Sequence, residues 1–199
     1  DTKAVFIGPS AKSIAFLGDK LKAKEFMKAH KIPTVPGSDT PLSSFKKTQA
    51  AAKDLTYPLI LKASFGGGGK GMRIITHHEQ LKEAYESCVR EAYNYFGNDQ
   101  LLLERYIKDP RHIEVQILCD HHGNSVHLFE RDCSIQRRHQ KIIEEAPSRY
   151  LDEQQREKMG DLSVYIARSL NYQGVGTVEY ICESPDKFYF MEMNTRIQV

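Results

Sequence analysis

The chain has 199 residues, with 28 Lys and Arg against 26 Asp and Glu and a formal net charge of +2. That length and a hydrophobic share of 40% allow a buried core without disulfide or metal staples. The near balance of charge excludes a generally polybasic nucleic-acid binder, and no apolar run approaches the ~20 residues of a membrane span.

The opening shows no signal-peptide pattern, and the lack of an initiator Met implies a start inside a longer chain. Ala4-Val5-Phe6-Ile7 reads as a short buried strand, with Gly8-Pro9-Ser10 as the turn after it. Ile14, Leu17 and Leu21 mark one helical stripe running to about His30. Residues 32–39 form an extended connector with two prolines, the best candidate boundary in the chain. A short helix over about residues 44–54 has a serine available as N-cap. Residues 58–63 read as a strand, followed by the glycine run 66–71 and a second strand, 72–75. Thr76 and Glu79 form a capping box. Beyond it Leu81, Ala84, Tyr85, Cys88, Val89 and Ala92 recur at helical spacing. Residues 101–107 are a strand. From Arg111 strict alternation sets Ile113, Val115, Ile117 and Cys119 on one face and His112, Glu114 and Gln116 on the other. Residues 120–124 make a hairpin turn, and a strand-like stretch then runs from Val126 to Lys141. Asp152 caps a helix carrying Met159, Leu162, Ile166 and Leu170. Strands over about 176–182 and 188–199 end the chain. The whole reads as α+β with mainly antiparallel sheets. Cys88, Cys119, Cys133 and Cys182 show no metal-ligand spacing; Cys88 reads as a buried free thiol, and a reducing compartment follows.

Three stretches carry chemistry. Glycines let backbone N–H groups approach a ligand, so residues 66–71 suggest a phosphate cradle. A dinucleotide fold needs a helix directly after its glycines, but Met72-Arg73-Ile74-Ile75 is strand-like. A Walker A loop needs Ser or Thr after Gly-Lys, and Gly71 stands there. What survives is a flap between two strands, with Lys62 at the end of the first; the plain alternative is a flexible hairpin tip. In the last strand Glu192, Asn194, Arg196 and Gln198 alternate with Met191, Met193, Thr195 and Ile197, and Glu179 lies on the strand before. If these strands pair, two carboxylates and an amide oxygen are hard ligands for Mg²⁺ or Mn²⁺; a solvated charged face is the other reading. The basic run Gln136-Arg137-Arg138-His139-Gln140-Lys141 could hold phosphate or a small anion, or be a solvated strand. Its alternation would set Gln136 and Arg138 on one face and Arg137, His139 and Lys141 on the other.

A strand ending in Lys62, the flap Gly66 to Met72 and the terminal carboxylate strand together resemble the ATP-grasp fold. Glu104-Arg105-Tyr106-Ile107 resembles its adenine-receiving segment. Pro110-Arg111-His112-Ile113-Glu114-Val115-Gln116, the stretch from Glu130 to Lys141, and Glu192-Met193-Asn194-Thr195-Arg196-Ile197-Gln198-Val199 resemble biotin carboxylase, the ATP-dependent component of acyl-CoA and pyruvate carboxylases. The resemblance implies an α+β ATP-grasp fold, incomplete at both ends. Residues 1–33 would be the remnant of an N-terminal nucleotide-fold subdomain, 34–106 the lid with the flap, and 107–199 the metal and bicarbonate subdomain. Lys20 and Lys62 would contact ATP phosphates under the flap glycines Gly66, Gly67, Gly68, Gly69 and Gly71. Glu104, Arg105 and Ile107 would meet adenine, with Met72 and Ile181 near it, and His112, Gln136 and His139 would contact the nucleotide. Glu179, Glu192 and Asn194 would hold two Mg²⁺ or Mn²⁺ ions. Lys141, Arg196, Gln198 and Val199 would cradle bicarbonate, with Arg196 and Lys141 catalytic. Phe65 and Lys70 depart from the Gly and Arg often found there. The resemblance further implies ATP, carrier-bound biotin, a carboxyltransferase partner and a homodimeric full-length form, with no nucleic acid or membrane. The compartment would be the cytoplasm or the mitochondrial matrix. It also implies that a parent chain continues past Val199 into a Glu acting as bicarbonate's base, so residues 1–199 alone would be weakly active or inactive. Two other classes stay open: an ATP-grasp ligase joining a carboxylate to an amine, and a nucleotide-binding module without turnover.

Overall fold

The computed structural model describes Ala4, residues 6–66 and residues 69–198. The readings placed on Val5, Gly67, Gly68 and Val199 lie outside those residues. The chain divides into two compact units, each entered more than once. One holds the residues up to Leu17, Pro110–Ile135 and those from Lys141 on; the other holds Gly18–Asp109 and Gln136–Gln140. Residues 18–33 group with the stretch that runs on to Asp109.

The first apolar stripe is two helices, α1 (Ala11–Leu17) and α2 (Lys20–Ala29). The break falls at Gly18-Asp19, because the Asp19 carboxylate accepts from Leu21 N at 3.1 Å and Lys22 N at 3.3 Å and starts a new helix. Ile14, expected on the buried stripe, is 44% exposed. The expected opening strand is not formed by Ala4, Phe6 and Ile7; Phe6 and Ile7 are exposed, and no described residue pairs with them.

In the unit that starts at Gly18, α3 (Phe45–Lys53) begins at Ser44, whose Oγ accepts from Lys47 N at 3.3 Å. β1 (Leu59–Ala63) is the centre of an antiparallel sheet, flanked by β2 (Met72–Ile75) and, beyond α4 (Leu81–Phe96), by β3 (Leu101–Arg105). Leu59, Leu61, Leu101 and Leu103 meet Leu81 and Cys88 of α4 in a closed apolar core. The capping interaction before α4 sits one residue later than expected. Gln80 Oε1, not Glu79, accepts from Thr76 N at 2.8 Å and Thr76 Oγ1 at 2.9 Å, because a 3₁₀ turn (His78–Gln80) precedes the helix.

The other sheet runs β6-β5-β4-β7-β8, from β4 (Arg111–Cys119), β5 (Ser125–Arg137), β6 (Gln140–Glu145), β7 (Gly174–Ser184) and β8 (Lys187–Asn194). Ile113, Val115 and Ile117 are buried, and α5 (Glu153–Ser169) packs against their strand through a face with Met159 and Ile166. Asp152 and Gln155 cap α5 reciprocally, at 2.8 and 3.0 Å. Two expectations for the sheet fail. The polar stretch to Lys141 is not one strand: Arg138 and His139, at φ 52° and 65°, reverse the chain into β6. Alternation therefore ends at Arg137. The last strand stops at Asn194, so Arg196 and Gln198 lie off the sheet, and Ile197, expected on an apolar face, is 63% exposed. All four cysteines are free and buried. Among the described residues no helix is long and apolar enough to cross a membrane.

Candidate active site

The sequence-predicted residues collect in two groups, one in each unit. In the first, β1 and β3 are neighbours, so Lys62 and Glu104 project from adjacent strands of one sheet. Lys62 Nζ lies 2.9 Å from Glu104 Oε2, and Lys24 of α2 lies 2.9 Å from Oε1. Burial raises the Glu104 carboxyl, but the charges of Lys62 and Lys24 outweigh it and hold it down to about 2. One carboxylate thus compensates one of two ammonium groups. The surplus positive charge, with Lys20 beside it in α2, suits a phosphate. Lys20 Nζ donates to the Gly66 carbonyl at the mouth of the flap.

The flap needs its glycines for different reasons. Gly69 has φ +74°, and a Cβ there would stand 2.6 Å from the His139 ring. Gly71 has φ +66° and donates its N–H to Glu91 Oε2 at 3.1 Å. Lys70 Nζ lies 4.1 Å from the centre of the Tyr95 ring. Arg105 ends β3, its N–H bonded to the Pro36 carbonyl at 2.8 Å; Ile107 is buried, and Met72 is half-buried opposite Lys62. Gln136 and His139 sit at the β5–β6 reversal and group with this unit.

The second group forms on β4, β7 and β8. Antiparallel register places Arg131, Glu114, Glu179 and Glu192 in one row across β5, β4, β7 and β8. His112 Nε2 is 2.6 Å from Glu179 Oε2, and Lys141 Nζ and Asn194 Nδ2 donate to Oε1 at 2.9 and 2.6 Å. Glu114, fully buried, accepts from both Lys141 and Arg131. Burial raises the Glu179 carboxyl; the hydrogen bond from His112 and the charge of Lys141 outweigh that and lower it. Burial likewise pushes the Lys141 ammonium down, and Glu179 and Glu114 hold it above its ordinary value. Ile181 is the register partner of His112. Arg196 Nη1 donates to the Ile197 carbonyl at 3.2 Å, outside the Glu179 group.

Residues 19–199 match the family described as the carbamoyl-phosphate synthase L chain, ATP binding domain. The chain belongs to that family. Within this ATP-binding-domain family it is similar to biotin carboxylase 2 of Bacillus subtilis, 48% identical over 98% of this chain and 44% of that protein. It is 49% identical to the mitochondrial methylcrotonoyl-CoA carboxylase subunit alpha of Dictyostelium discoideum, over 98% of this chain and 28% of that protein. The biotin carboxylase domain dimer of the 2-oxoglutarate carboxylase from Hydrogenobacter thermophilus, solved with MgADP, ADP and bicarbonate, superposes with a TM-score of 0.93. Identity there is 51%, over 98% of this chain and 43% of that one. The chain therefore spans less than half the length of these relatives, and its fold is the α+β ATP-grasp fold of biotin carboxylase structures.

The donor set of this ATP-binding-domain site fits a divalent cation. Glu179 and Glu192 face each other in register, and Glu179 is a buried, ionised carboxylate with hard oxygens. Asn194 turns its Nδ2 to Glu179, so ligation would require the amide to present Oδ1 instead. Glu114, Cys133 and Glu144 also bring ligand atoms within 4.8 Å of one another. That trio suits a metal poorly, because Lys141 and Arg131 already occupy Glu114 and burial pushes the Cys133 thiol up. The sequence marks neither Lys24 nor Arg131 as a site residue. Glu114 and Gln116 stand out in the sequence only as sharing a face with His112; Lys24 carries no local signal, since only tertiary packing brings α2 to β3.

Proposed function

We propose that this chain is the ATP-binding core of a biotin carboxylase, and that the full protein uses ATP and bicarbonate to carboxylate biotin on a carrier protein or domain. The observation that carries this reading is the convergence of His112, Lys141 and Asn194 on Glu179, itself facing Glu192. Carboxylates for cations and a lysine for an anion stand side by side, as a reaction joining ATP to a small oxyanion requires.

In this reading Lys20 and Lys62 neutralise the ATP phosphates and the flap from Gly66 to Gly71 covers them, keeping water from a reactive intermediate. Glu104, Arg105 and Ile107 would meet adenine, with Met72 and Ile181 near it; His112, Gln136 and His139 would contact the nucleotide. Glu179, Glu192 and Asn194 would hold Mg²⁺ or Mn²⁺, which supplies charge neutralisation for the transferring phosphoryl group. Lys141, Arg196, Gln198 and Val199 orient bicarbonate. A bicarbonate oxygen attacks the γ-phosphorus, the bond to the ADP oxygen breaks, and carboxyphosphate forms; its breakdown releases CO₂ and phosphate beside biotin. Arg196 holds the anion in line and stabilises the biotin enolate.

The dimeric and carboxylase-subunit relatives support a homodimer that works with a carboxyltransferase component. Bacterial and mitochondrial relatives support the cytoplasm or the mitochondrial matrix. The test is ATP hydrolysis by the full-length protein with and without bicarbonate and free biotin. Stimulation by both is expected. No response to either, or a response to an amino-acid acceptor instead, overturns the reading.

A further inference from the structure

Arg196 lies beyond the end of β8, where the ladder with β7 has stopped. The last register pair is Thr177 with Asn194, and among the described residues no strand pairing constrains those that follow. Resting on the functional reading above, we infer that Thr177 is a positioning residue: its hydroxyl holds the backbone of Arg196 and so sets the bicarbonate-facing segment.

Thr177 is fully buried, on the same sheet face as Glu179. A buried hydroxyl is unfavourable without a hydrogen-bond partner, and valine would fill the same space more cheaply. Thr177 Oγ1 lies 3.3 Å from the Arg196 carbonyl and 3.2 Å from Gln116 Oε1. It has one proton to donate between them. The surroundings hold the Gln116 acceptor in place. Gln116 is buried on β4, with its Nε2 fixed on the Gly176 carbonyl at 2.8 Å. Its Oε1 already accepts from Arg131 Nη2 at 3.2 Å. Gln116 Oε1 has a second lone pair, so the Thr177 hydroxyl shares its proton between that oxygen and the Arg196 carbonyl, and it ties the Arg196 backbone to the oriented Gln116. Arg131 is tied to Glu114, which also takes Lys141. One chain of contacts thus joins Lys141 and the Arg196 backbone, the two sides of the proposed bicarbonate cradle.

The test compares Thr177→Val and Thr177→Ser with the parent in the full-length protein. Valine keeps the shape and removes the hydroxyl; serine keeps the hydroxyl. The readouts are the KM values for bicarbonate and ATP and the amide hydrogen exchange of residues 195–198. Thr177→Val is expected to raise the bicarbonate KM about fivefold to tenfold, the range set by one lost hydrogen bond, with the ATP KM within about twofold. Exchange should quicken at 195–198 alone, and Thr177→Ser should restore both within about twofold. Parental exchange at 195–198 in the valine variant overturns the inference, as does a loss shared equally by ATP and bicarbonate with lost protection across β7. Where kinetics and exchange disagree, exchange decides. If the parent shows no bicarbonate-dependent ATP hydrolysis, the functional reading fails, and exchange still tests whether Thr177 holds Arg196.

Discussion

Glu104 carries two ammonium groups on one carboxylate, and this fixes its response to acid. Its folded-state value of about 2 lies below the ordinary 4.5, so the stabilisation is fully present above pH ~4.5 and is lost as pH falls toward 2. Denaturation midpoints of the parent should therefore fall across that window, and Glu104→Gln should flatten the part of the fall that belongs to this group. Lys141 presents the opposite case, one cation between two buried carboxylates. Lys141→Ala leaves Glu114 and Glu179 facing each other in register. Breaking such a buried group by removing one partner costs about 3–5 kcal/mol. Urea denaturation should show a loss of that order, and an unchanged midpoint would mean that water already solvates the pair.

At the level of elements, α5 meets β5 where the His127 ring lies against Gly160. A Cβ on Gly160 would stand 2.5 Å from the His127 ring. Helix propensity alone favours Gly160→Ala by about 1 kcal/mol, but overpacking costs about 1–3 kcal/mol and wins. The single substitution should lower the melting temperature, and adding His127→Ala should recover most of the loss. These close approaches also mark what the sequence could and could not show. The 3.6-residue stripe of Leu81, Ala84, Cys88 and Ala92 and the alternation of Ile113, Val115 and Ile117 are local patterns, and both elements formed as read. Element ends were less legible, because they depend on single side chains and on neighbours. Asp19 splits one apolar stripe into two helices, and Arg138 and His139 fold one apparent strand into a hairpin. The Glu192-x-Asn194-x-Arg196-x-Gln198 row looked continuous, but only its first half stays in the sheet. The carboxylate pair Glu179 and Glu192 was visible as a conditional: it needed β7 and β8 to be adjacent, which they are. Lys24 with Glu104 was invisible, since 80 residues separate them.

For the molecule as a whole, a net charge of +2 conceals segregation. The flap unit sets Lys24 and Lys62 on one carboxylate, with Lys20 on the Gly66 carbonyl, and the five-stranded sheet gathers Glu114 and Glu179 around Lys141, with Arg131 on Glu114 and Glu192 in register with Glu179. ATP hydrolysis by the full-length protein should accordingly stop on chelation with EDTA and return with Mg²⁺ or Mn²⁺. Glu179→Gln should raise the metal concentration needed for half-maximal rate by tenfold or more, and an unchanged requirement would move the metal elsewhere. The interleaving of the two units also bears on synthesis. Residues 18–109 are a continuous stretch with their own core, so most of the flap unit can collapse soon after it leaves the ribosome. Helix α1, made before it, packs against β8, which is made only after the whole of that stretch. Helix α1 must therefore wait for its partner until β8 is made, exposed to chaperones and proteases in the interval.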